Sequence, residues 1–145
     1  MHTPTFLRTI PLFSNLIDSE LAMVDKLLVE VAVDDGTKLI EEGKPNDRLF
    51  VILEGRVELR GQGEDGRGRT VAVLGVGEEF GESGMTPKIP SAVSAEVIMG
   101  PARLLTVKGD AIKHLVRNKP EIGIGLLTAA FARIQTLQRM SVLQG

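Results

Sequence analysis

Glycine and carboxylate stand side by side along Gly75-Val76-Gly77-Glu78-Glu79-Phe80-Gly81-Glu82-Ser83-Gly84-Met85. Glycines at this density break a sheet and open backbone N–H groups at a turn, and a concave nest of such donors can bind an anion. Glu82, directly after Gly81, places a carboxylate beside that nest. A carboxylate suits the two hydroxyls of a ribose and is hostile to bare phosphate unless a cation sits close by. The plain alternative is a Gly-rich connection with solvated acids.

Other groups with apparent chemistry carry less. Gly61-Gln62-Gly63-Glu64-Asp65-Gly66 spells G-x-G-x-x-G, but a dinucleotide fingerprint must follow a strand and open a helix. Here Arg67-Gly68-Arg69 and a strand-like run follow, and Glu64 and Asp65 repel a phosphate, so the segment reads as a hairpin loop. The two histidines lie in unrelated segments without metal-ligand spacing. His2 is expected in a loose terminus and His114 within a helix ahead of Pro120. No nucleophile elbow, H-E-x-x-H or P-loop occurs, so no catalytic residue and no metal site is assigned, and the chain is not read as an enzyme.

The elements that position these residues follow from texture. Asp18 is a plausible cap for an amphipathic helix over Asp18–Glu30, marked by Leu21, Val24, Leu27 and Leu28. Ile10 to Asn15, with Pro11, reads as an irregular lead-in. From Thr37 to Val107 short apolar runs alternate with Gly- or Pro-bearing breaks: Lys38–Glu41, Arg48–Glu54, Arg56–Arg60, Thr70–Leu74, Ala92–Met99 and Arg103–Val107. Many short strands with glycine turns predict a closed or double-sheet β structure, a jelly roll or small barrel, over about residues 36–108. Helices are expected from Asp110 to just before Pro120 and from Glu121 to about Met140. The last carries two apolar stripes, Leu127, Phe131 and Ile134 beside Leu126, Ala130, Leu137 and Met140. One stripe suffices to lie on a core, so the second is expected to pair with the same helix of another chain, a homodimer; a helix wedged deeper into its own domain is the alternative.

Composition bounds the function. The chain has 145 residues, 43% apolar and 25% charged, which fits one soluble domain. Cysteine is absent, excluding disulfides and thiolate chemistry. Phe is the only aromatic, so a base-stacking platform is poorly supplied. A net charge of −2 argues against a nucleic-acid partner. No run approaches a membrane span and no secretory signal is visible, so a cytoplasmic protein away from the membrane is expected.

Phe80-Gly81-Glu82 after a Gly-x-Gly-Glu stretch resembles the phosphate-binding cassette of the cyclic nucleotide-binding domain family. The likeness extends to Pro11-Leu12-Phe13-Ser14-Asn15-Leu16, to the spacing of Gly36, Gly43, Asp47 and Gly55 within Gly36–Leu59, and to the two closing helices around Pro120, about Ile10 to Met140 in all. The resemblance implies an eight-stranded β roll with an N-terminal helix and two C-terminal helices. It implies no cofactor, and cyclic AMP or cyclic GMP as ligand at Phe80, Gly81, Glu82 and Ser83. Gly81 would offer its amide and Glu82 would hold a ribose hydroxyl. A small pair that follows the cassette's arginine matches in two registers, Ser91-Ala92 or Ser94-Ala95.

The arginine itself is missing. Its place holds Pro90 in the first register and Val93 in the second, and no Arg occurs between Arg69 and Arg103. Lys88, the only cation in the loop, is the candidate to substitute in part for the arginine at the ligand, as a point charge without bidentate geometry, a solvated loop lysine being the alternative, and Pro87 and Pro90 around it hinder the short helix the family forms there. Loss of the arginine should weaken phosphate binding by roughly 10- to 100-fold or more. The chain ends five residues beyond Met140, which leaves no room for the helix-turn-helix of the related transcription regulators. A stand-alone regulatory module that signals through a protein partner or a dimer is therefore expected; a binding-incompetent relative kept for dimerisation or protein interaction is the alternative.

Overall fold

A computed structural model describes residues 2–144, apart from the side chains of Leu137 and of residues 141–144. The described residues fall into two compact units: Leu27–Lys113, and the segments up to Lys26 and from His114.

The first unit is an antiparallel roll of β1 (Val29–Val33), β2 (Lys38–Ile40), β3 (Arg48–Gln62), β4 (Gly68–Leu74), β5 (Glu79–Phe80) and β6 (Ser94–Lys108). The order is β1-β6-β3-β4, with β2 also on β6 and β5 on β3. β3 and β6 run together for most of their length. Arg48–Glu54 lies against Arg103–Lys108, and Arg56–Arg60 against Ser94–Ile98. Between them Gly55 faces residues 99–102 at a bulge. Gly55 has φ 97°, and a Cβ there would sit 2.8 Å from the Cβ of Ala102, so only glycine lets the strands bend at this point. Residues from both sides of the bend, Phe50, Ile52 and Leu104 with Val57, Ala95 and Val97, share one core with Ile40, Leu74, Phe80 and Ala102. The sheet therefore closes over its own apolar face.

The runs Arg48–Glu54 and Arg56–Arg60 are thus one bent strand, as are Ala92–Met99 and Arg103–Val107, where Met99 (φ 61°) and Gly100 (φ 107°) carry the bend. Divided at their bulges, β3 and β6 account for the eight strands of the expected roll.

Three expectations near the N-terminus are corrected. The helix predicted over Asp18–Glu30 stops early, as α2 (Asp18–Asp25), with Ile17 and not Asp18 at the cap. Val29, Val31 and Val33 alternate along a strand instead, opposite Thr106, Leu104 and Ala102. Pairing with β6 overrides the helical spacing of the leucines. The lead-in Ile10–Asn15 is not wholly irregular, since Pro11–Phe13 forms a 3-10 turn, and ahead of it stands a helix that was not foreseen, α1 (Pro4–Arg8), capped by Thr3, whose Oγ accepts from Phe6 N at 3.1 Å. His2, expected loose, is tied to α2. Its backbone N donates to both Asp25 oxygens at 3.1 Å and its Nδ1 lies 2.9 Å from Oδ1, with its ring stacked on Phe6.

In the second unit α1 packs on α2 and on the 3-10 turn, which packs in turn on α4 (Pro120–Gln144). Leu7, Ile10, Phe13, Leu16, Leu21, Val24 and Ile122 are buried. α3 (Gly109–Asn118) carries Asp110 in its first turn and ends ahead of Pro120. No helix among the described residues is long and apolar enough to cross a membrane.

Candidate functional site

The cassette folds around a backbone crossing. β5 places Phe80 against β3, where its ring stacks on Phe50 at 4.9 Å and 8°. Gly81 then turns left-handed, φ 87°; a Cβ there would lie 2.7 Å from the Arg48 carbonyl oxygen. A 3-10 turn follows over Glu82–Met85, so the prolines do not prevent a short helix here: it is complete before Pro87. A Cβ on Gly84 would lie 2.6 Å from Arg48 N and O, and one on Gly109 would strike the Gly84 carbonyl. The cassette turn, the start of β3 and the start of α3 thus meet main chain to main chain.

Asn46 fastens this crossing. It is 7% exposed, and its Nδ2 donates to Arg48 O at 2.8 Å, to Gly81 O at 3.1 Å and to Ser83 Oγ at 3.3 Å, while its Oδ1 accepts from Arg48 N at 3.2 Å. Sequence reading did not single it out. The signal lay in Pro45-Asn46-Asp47 as a turn, but its partner Gly81 is 35 residues away.

Beside the turn opens a hollow of about 170 Å³ lined by Ile40, Leu59, Phe80, Gly81, Glu82, Ser83, Ser91, Ala92 and Val93. The cassette residues Phe80, Gly81, Glu82 and Ser83 are brought together there as expected, joined by Ser91 and Ala92 of the first register. Ser91 is tied to the preceding loop: Gly43 N donates to its carbonyl at 2.9 Å and its own N to Lys44 O at 3.0 Å. Ser94 and Ala95 do not line the hollow. They belong to β6, where the Ser94 hydroxyl points to Arg60 O at 3.5 Å and Ala95 is fully buried in the core. Lys88 does not line it either; a turn closed by Ile89 N on Thr86 O carries it to the surface. Of the two candidate arginine positions, Val93 lines the hollow and the exposed Pro90 does not. The walls Ile40 and Leu59 were not anticipated as site residues.

Glu82 is exposed at the rim, and its carboxylate makes no ion pair or hydrogen bond among the described residues. The site therefore offers an apolar wall, a free carboxylate and the Ser83 hydroxyl, the Ser91 hydroxyl being held by the main chain of Val93.

On α4 the expected pairing residues Leu126 and Ala130 are half-buried and Met140 is exposed, while the side chain of Leu137 lies outside the described residues. The most exposed apolar stripe is the neighbouring one: Ile124, Leu127, Phe131 and Ile134, each 47–65% exposed.

With this β roll and cassette turn in place, residues 30–119 match the cyclic nucleotide-binding domain family. The chain belongs to that family. It is 29% identical over 124 residues to the CRP-like cAMP-activated global transcriptional regulator of Mycobacterium tuberculosis, covering 86% of this chain and 55% of that protein. The chain thus spans about half the length of the curated relatives it matches. The N-terminal domain of a transcriptional regulator from Streptomyces coelicolor superposes with TM-score 0.74 at 30% identity, covering 93% of this chain and 94% of that one. The regulatory domain of Toxoplasma gondii protein kinase A, solved with cAMP, superposes with TM-score 0.68 at 25% identity over 79% of this chain and 43% of that one.

Proposed function

We propose that this protein is a non-enzymatic, cytoplasmic regulatory module that binds a cyclic nucleotide weakly in the hollow beside Glu82 and passes its occupancy to a protein partner or a second copy. The observation that carries this reading is the convergence of Phe80, Gly81, Glu82 and Ser83 with Ser91 and Ala92 around one hollow. A carboxylate at the rim accepts from a ribose hydroxyl, and the wall of Ile40, Leu59 and Phe80 shields the sugar from water. Weak binding follows from the lack of any Lys or Arg among the lining residues. Calorimetry with cyclic AMP and cyclic GMP at millimolar concentration tests it. Heat that saturates is expected; silence from both, with no thermal shift across a nucleotide and nucleoside panel, would remove the reading.

The second reading is a relative that keeps the roll as a dimerisation module without a ligand. The exposed stripe Ile124, Leu127, Phe131 and Ile134 favours it, because spacing of three and four residues matches a helix–helix seam. Under this reading an arginine introduced at Ala92 or Val93 would create nucleotide binding that the natural chain lacks.

A further inference from the structure

The hydrogen-bonding inventory of the hollow is one-sided. Glu82 is the only ionisable residue that lines it, and its carboxylate is unengaged. The Ser91 hydroxyl is spent on its own loop, donating to Val93 O at 2.7 Å and accepting from Val93 N at 3.3 Å. Ser83 Oγ accepts from Asn46 Nδ2 at 3.3 Å, which leaves its proton as the one side-chain donor. Among side chains a ligand thus meets a charged acceptor, a single neutral donor and an apolar wall.

A ribose hydroxyl donates, and matches Glu82. A phosphodiester carries only acceptors and a negative charge, which would face the Glu82 carboxylate with no ammonium or guanidinium between them. Backbone amides near Gly81 supply partial charges without a compensating net charge. The hollow, at about 170 Å³, is also smaller than the roughly 300–1,000 Å³ that encloses a whole drug-sized ligand, and suits a sugar ring.

We infer that this site selects the uncharged nucleoside over its cyclic phosphate. The inference rests on the reading of the hollow as a nucleotide site and names the ligand class that site prefers. Glu82 holds the 2′-hydroxyl, and the 5′ and 3′ oxygens stay neutral.

The test is calorimetry on the full chain with adenosine against cyclic AMP and guanosine against cyclic GMP. For the better-bound base, the nucleoside is expected to bind at least about 10-fold tighter than its cyclic phosphate. The 2′-deoxynucleoside should lose that affinity. Glu82→Gln should narrow the gap, and Ala92→Arg, which adds a cation at the lining, should reverse it. A cyclic phosphate that binds as tightly as its nucleoside, or tighter, overturns this inference and leaves the site reading intact. No heat from any of the four at millimolar concentration overturns both.

Discussion

The side-chain amide of Asn46 donates to the carbonyl of Gly81 at 3.1 Å, and so ties the loop before β3 to the first turn of the cassette. Two further bonds, to the N and O of Arg48, hold the strand that the cassette crosses, and a third reaches Ser83 Oγ. Asn46→Ala leaves buried backbone groups without partners, at a cost of about 1–3 kcal/mol. Asn46→Asp should cost more, since a carboxylate would face the carbonyls of Arg48 and Gly81. Urea denaturation measures both; a midpoint unchanged in Asn46→Ala would show that the crossing stands without this clamp.

Glycine substitutions separate close approach from backbone strain. A methyl group on Gly84 meets the Arg48 main chain at 2.6 Å, and main chain cannot swing aside. Gly36 also has a positive φ, 82°, but nothing lies within 4 Å of its Cβ position. Gly36→Ala should cost about 1–2 kcal/mol, the ordinary left-handed penalty. Gly84→Ala should cost more than about 3 kcal/mol or prevent folding. Equal losses in thermal melts would contradict the crossing.

On the outer face, Arg103 of β6 reaches Glu30 of β1 and Glu54 of β3, each at 2.7 Å. The hydrogen bond and charge of Glu30, then those of Glu54, raise the Arg103 pKa above its usual value. A raised pKa on a cation contributes stability that is fully present below the unfolded value and is lost only as pH climbs through the folded one. The Tm gap between wild type and Arg103→Met should therefore stay constant from about pH 6 to about pH 9. It should shrink at about 1 M salt, because the groups are exposed. A gap that ignored salt would mean that packing of the arginine stem, and not its charge, sets the effect.

The stripe on α4 predicts self-association. Phe131 is 56% exposed, so Phe131→Glu should leave the fold intact while splitting a dimer. Leu126→Glu should act more weakly through the stripe and more strongly on stability, because Leu126 is half-buried. Sedimentation velocity reads both. A wild-type monomer, or a dimer unmoved by Phe131→Glu, would count against pairing through this helix.

How much of this was legible in the sequence depended on the range of the signal. Turn glycines and alternating valines located β4, and the core of each longer strand, from local spacing. Gly55 was visible as punctuation, but whether a glycine ends a strand or bends it depends on the partner strand, here Ala102. The start of β1, Val29 and Glu30, falls in the expected helix because Leu27 and Leu28 prolong the helical spacing, while its partners on β6, Thr106 and Leu105, lie far along the chain. Within the site, Gly81 and Glu82 were marked by their own chemistry. Asn46, Ile40 and Leu59 became site residues only when the roll brought them beside the cassette. Choosing between Ser91-Ala92 and Ser94-Ala95 needed the start of β6, which sequence placed at Ala92 and the structure places at Ser94.

The most direct measurement of the central claim is an amide chemical-shift titration of the full chain with adenosine and with cyclic AMP. Shifts are expected to concentrate at Gly81, Glu82, Ser83, Ala92 and Val93, and to be abolished by Glu82→Ala while the dispersion of the rest of the spectrum is kept. Spectra unchanged at these amides with either ligand at millimolar concentration, or shifts that survive Glu82→Ala, would contradict it.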